Sequence, residues 1–88
     1  MSLTVEKVLQ LANDAVSLIN DVNTNGTSSN YLSSGMLQSE VNETVQRNVD
    51  HLETILAYDG SSTNVPDVAG SSADKSSYTA AITTGKNY

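Results

Sequence analysis

The clearest order in the chain is the division of residues 5–22 into two faces. At about 100° per residue, Val5, Val8, Leu9, Leu11, Ala12, Ala15, Val16, Leu18, Ile19 and Val22 fall on one half of a helical wheel. Glu6, Lys7, Gln10, Asn13, Asp14, Ser17, Asn20 and Asp21 fall on the other. This spacing predicts a helix over 4–23, with Ser2 or Thr4 as its N-cap. The apolar arc is about 180° wide, whereas a helix resting on a single core needs only about 100°. Such width predicts cover on two sides, by two helices or by a helix and another subunit.

Asn25-Gly26 follows as a turn, because both residues tolerate positive φ. A second apolar stripe, Leu37, Val41, Val45, Val49, Leu52, Ile55 and Leu56, predicts a helix over 34–58, capped by Ser33 or Ser34 and closed at Asp59-Gly60. Glu43 and Arg47 stand four apart in the favourable order for an ion pair. The stretch 60–72 reads as an irregular loop, pinned to the helices by Val65 and Val68. A third helix is predicted over 74–88, capped by Ser72 or Asp74, with Tyr78, Ala81, Ile82, Gly85 and Tyr88 on one face. Ala81 and Gly85 are small enough to let a neighbour come close. No repeat and no strand alternation is visible. The fold class is therefore all-α: one small three-helix domain, an antiparallel helical hairpin plus a shorter third helix.

Composition narrows the functions open to such a domain. Ten acids against four bases give a net charge of −6, the wrong sign for a nucleic-acid backbone or an anionic membrane surface. No apolar run approaches the roughly 20 residues of a membrane span, and the start lacks the basic and apolar regions of a signal peptide. The absence of cysteine removes disulfides, thiol nucleophiles and cysteine metal sites. Phe and Trp are absent too, and Ser, Thr and Asn together number 31 against 14 charged residues. Solubility therefore rests on neutral hydrogen-bonding groups. Gly85-Lys86-Asn87-Tyr88 reads as a helix cut short.

Few constellations suggest chemistry. Asp21-Val22-Asn23-Thr24-Asn25-Gly26 matches the first half of a calcium loop, with oxygen ligands at Asp21, Asn23 and Asn25 and glycine at the sharp turn. The twelfth position, which needs a bidentate Glu, is Leu32; the expectation is a helix end followed by a turn, with no metal. His51, the only histidine, lies at the rim of the second stripe without a nucleophile motif around it. Glu40, Glu43, Asp50 and Glu53 form an acidic ridge that points outward, unlike the inward carboxylates of a di-metal bundle. These readings predict no enzyme activity and no cofactor.

The opening Leu3-Thr4-Val5-Glu6-Lys7-Val8-Leu9, the cysteine-free Ser/Thr/Asn-rich composition and the closing Tyr78-Thr79-Ala80-Ala81-Ile82-Thr83-Thr84-Gly85-Lys86-Asn87-Tyr88 resemble small virion proteins of tailed bacteriophages and prophages, including helical connectors between head and tail. The resemblance implies a structural protein, in the virion or the bacterial cytoplasm, whose partners are copies of itself or other virion proteins. An 88-residue chain without large aromatics other than tyrosine has a thin core, which agrees with assembly. The expected self-association surface is the apolar arc of the first helix. Val5, Leu9 and Val16 lie towards one border and Leu11, Leu18 and Val22 towards the other, one border packing internally and the other against a copy. The alternative is a small helical binding or regulatory module, in its sharpest form the degenerate calcium loop between two helices.

Overall fold

The computed structural model describes residues 3–25 and 35–88. These residues form three helices, α1 (Val5–Asn25), α2 (Gln38–Leu56) and α3 (Ser76–Lys86). Between α2 and α3 lies an antiparallel pair of strands, β1 (Asp59–Ser62) and β2 (Val65–Asp67). The predicted loop from Gly26 onward and the caps Ser33 and Ser34 lie outside the described residues.

Thr4 caps α1, its hydroxyl accepting the Lys7 N–H at 3.2 Å. Val8, Ala12, Ala15, Ile19 and Val22 recur along α1 at alternating steps of four and three and are buried, together with Leu9. On α2 the buried set is Val41, Val45, Val49, Leu52 and Ile55. Valine is a mediocre helix former, by roughly 0.5 kcal/mol against alanine. Burying its side chain contributes about 1.5 kcal/mol or more, so packing decides the conformation.

The second helix starts at Gln38, four residues later than the predicted start at residue 34. Gly35 has φ of +98°, outside the helical region, and Leu37 is extended. Leucine offers no side-chain acceptor for a cap. Instead the Glu40 carboxylate accepts the Leu37 N–H at 3.0 Å, the reciprocal half of a capping box. At the other end α2 stops at Leu56, short of the predicted Tyr58.

Contacts with α3 fix the directions of the helices. Tyr78, near the start of α3, reaches Leu9 and Asn13 on α1, and Gly85, near its end, faces Ile19. The same Gly85 faces Val45 and Val49 on α2, while Tyr88 meets Gln38 at the start of α2. Thus α3 runs parallel to α1 and antiparallel to α2, and α1 and α2 are antiparallel, as the sequence predicts. The molecule extends 41 × 24 × 16 Å.

The region 60–72 corrects the all-α expectation, because it contains most of a β-hairpin. Asp59 pairs with Asp67 and Ser62 with Val65, so Gly60 and Ser61 oppose Pro66 alone. Proline cannot donate to the ladder, and the extra residue on β1 forms a bulge there. Gly60 takes φ of +76°, so its left-handed conformation serves this bulge and not the end of α2. Val68, fully buried, ties the hairpin to the core, and Val65 is half-buried. Two backbone bonds hold it from outside: Leu3 N–H to Thr63 O at 3.2 Å and Ala69 N–H to Tyr58 O at 2.9 Å.

The third helix is shorter than predicted, Ser76–Lys86. Asp74 nevertheless serves its N-terminus, accepting the Ser76 N–H at 3.0 Å. Tyr78, Ala81 and Gly85 form its buried face. A Cβ on Gly85 would overlap the Val49 Cγ2 methyl and come within 3.5 Å of Ile19 and Val45. Lys86 pairs with Glu53 at 3.1 Å, an exposed bridge worth a few tenths of a kcal/mol.

Two stability outcomes follow from α3. Gly85→Ala improves intrinsic helix propensity by about 1 kcal/mol, yet overpacking against Val49 costs about 1–3 kcal/mol. Denaturant unfolding should therefore show no gain and most often a net loss; a clear stabilisation would mean that α3 does not approach α2 this closely. The Asp74 carboxyl is held below its ordinary value of 3.8 by its hydrogen bonds from Ser76. Its contribution is present at neutral pH and disappears as pH falls through the lowered folded value. Asp74→Ala should melt lower than the parent at pH 7, with the difference shrinking below pH 3.8; thermal melts across pH check it.

Candidate interaction surface

The wide arc of α1 receives different cover along its two borders. On one side, the Tyr78 hydroxyl donates to the Leu9 carbonyl at 3.2 Å and the Asn13 side-chain oxygen at 3.0 Å. This bond seats α3 beside Leu9, and Leu9 is buried. Val5 and Val16, on the same border, are half-buried. The middle of the arc packs into the core.

The opposite border is turned away from α3. Leu11 is 61% exposed there, and Leu18, one heptad on, is half-buried. Val22 shares this border in the sequence reading but is 1% exposed. The reason is helical phase: four residues beyond Leu18, it lies about 40° nearer the core. The outward remainder of the arc is therefore the line Thr4, Leu11, Leu18 and Asn25, each seven residues from the next. Lys7, Asp14 and Asp21 run beside it at the same spacing and are exposed.

The matching edge of α2, also away from α3, carries Thr44, Asn48 and His51. Thr44 and Asn48 are half-buried and His51 is exposed. The polar groups of Thr44 and Asn48 turn back onto the helix: Thr44 Oγ1 donates to Glu40 O at 2.8 Å, and Asn48 Nδ2 donates to Thr44 O at 2.8 Å. Arg47 Nη2 donates to Thr44 Oγ1 at 3.3 Å and makes no ion pair with Glu43, contrary to the i, i+4 expectation. Local bonding of this kind spends donors that would otherwise demand water. The result is a low, partly apolar surface between the α1 and α2 edges.

Spacing assigns Leu37 to the α2 stripe, yet it is 65% exposed. It precedes the first helical turn, so the helical phase does not govern it. Of the tyrosines, Tyr78 is core and Tyr88 is half-buried, accepting from Gln38 Nε2 at 3.0 Å.

Asp21, Asn23 and Asn25 lie in the final turn of α1 and not in a loop. Asn25 Nδ2 donates to Asp21 Oδ1 at 2.8 Å, while Asn23 projects about 200° around the helix from Asp21. Their oxygens do not converge on one point. Glu40, Glu43, Asp50 and Glu53 are all exposed; Glu40 serves the α2 start and Glu53 pairs with Lys86. Among the described residues no three His, Asp or Glu side chains gather as a metal site, no pocket is found, and no helix is long and apolar enough to cross a membrane.

Compared with models of protein families, with curated proteins and with solved structures, the chain has no significant match to any of them.

Proposed function

We propose that this protein is a non-enzymatic assembly unit that self-associates through the outward border of α1, as a virion component of the tailed-phage kind would. The observation that carries the reading is Leu11, 61% exposed on the one border of α1 that neither α3 nor the core covers. Half-buried Leu18 extends it along the same line.

The scale of the contact sets its strength. The molecule exposes 5250 Å², close to the roughly 5,000 Å² of a folded monomer of this mass. A strip one helix long, about 30 Å, falls below the ~1,200 Å² total of a stable standard interface. Association through it is therefore weak and transient between free protomers. It becomes effective where many copies are held close together, because local concentration then replaces affinity. Assembly scaffolds work in that regime.

Sedimentation equilibrium up to high micromolar concentration tests the reading. The parent should self-associate, and Leu11→Asp should remain helical by circular dichroism while its association weakens at least tenfold. Leu9→Asp, which buries a charge, should unfold instead. A parent that stays monomeric throughout would overturn the proposal.

A further inference from the structure

Resting on that reading, we infer that the partner is a second copy of the same helix laid antiparallel, α1 against α1, with the two-fold axis passing between residues 14 and 15. The inference comes from the order of groups along the exposed line and its flank. Along the line the order is Thr4, Leu11, Leu18 and Asn25; along the flank it is Lys7, Asp14 and Asp21.

An antiparallel pair about that axis brings residues whose numbers sum to 29 level with each other. Leu11 then meets Leu18 of the other copy, twice by symmetry, so each apolar group is covered by another. Thr4 falls level with Asn25, and polar ends meet polar ends. The flanks lie on the same side of the contact in both copies, so Lys7 comes level with the acidic turn at Asp21–Val22 and opposite charges meet at both ends. In a parallel, in-register pair every residue is level with itself. Lys7 is then level with Lys7, Asp21 with Asp21, and no opposite charges match along α1. Charge order therefore selects the antiparallel arrangement, in the way that flanking charges select orientation in coiled coils.

Neither α2 nor α3 obstructs the approach. Helix α3 lies on the Leu9 side, and the α2 edge offers the low surface of Thr44, Asn48 and His51. One meeting is unfavourable: Asp14 comes close to its own copy at the axis. Its removal should tighten the dimer, a direction opposite to that of most surface substitutions.

The absence of cysteine makes disulfide trapping clean. Leu11→Cys and Leu18→Cys proteins are prepared separately, checked for helix content, and oxidised alone and as a mixture. Antiparallel pairing predicts a cross-link between the two variants in the mixture. It predicts none in either alone, because like positions sit about 10 Å apart along the axis, beyond disulfide reach. Self-linking of Leu11→Cys alone would show a parallel pair and overturn the inference; so would an associating parent that links in no combination. A monomeric parent fails the self-association reading itself, and the two failures are thus separable.

Charge exchange gives an independent arm at low salt, where screening is weakest. Lys7→Glu and Asp21→Lys should each weaken the homodimer on the order of tenfold. Mixing the two variants, or combining both changes in one chain, should restore association. Asp14→Asn should strengthen it. Unchanged Kd for both single variants would overturn the antiparallel assignment.

Discussion

Everything in this fold depends on how closely α3 can lie against the other two helices. The core has neither Phe nor Trp and consists of Val, Leu, Ile and Ala with one tyrosine. Side chains of that size fill little space, so the backbones must approach until the gaps close. Gly85 and Ala81 permit this on α3, Ala12 and Ala15 on α1. The bulk missing from the side chains is compensated by proximity, and the Tyr78 hydroxyl then fixes where along α1 the third helix sits.

That arrangement also explains the divided character of α1. A third helix of only 11 residues, drawn in tightly at one side, covers the Leu9 border and leaves the Leu11 border bare. A longer or bulkier α3 seated centrally would have spread its cover more evenly. The exposure of Leu11 is in this sense a by-product of how the core was closed.

Much of this was legible in the sequence where periodicity speaks. The wheel of residues 5–22 has no misplaced member, and every α1 core position lies within it. The small residues at Ala81 and Gly85 announced a close approach that the structure contains. The cap candidates Ser33 and Ser34 place the start of α2 too early, because the positive φ of Gly35, which breaks the chain before the helix, leaves no hydrophobic signature. The hairpin was invisible for a related reason. Asp59, Gly60, Ser61 and Ser62 are all exposed, so burial imposes no alternation on them. Contacts distant in sequence, from Leu3 to Thr63 and through Val68, hold the strands in place, and local pattern cannot report those. As for the surface, the sequence named both borders of α1. Choosing the outward one required the position of α3, which no property of α1 alone contains.

Tyr78 has a spectroscopic consequence. Without tryptophan, the near-ultraviolet absorption and intrinsic emission of the chain come from tyrosine alone. Among the three described tyrosines only Tyr78 is buried; Tyr58 and Tyr88 are half-exposed. Its ring is clamped between α1 and α3, and its phenol is bonded to a helix carbonyl. Among the described tyrosines, Tyr78 is therefore the most fully enclosed chromophore, and its position at the joint between the first and last helices makes its near-ultraviolet dichroism a label-free gauge of whether the bundle is closed.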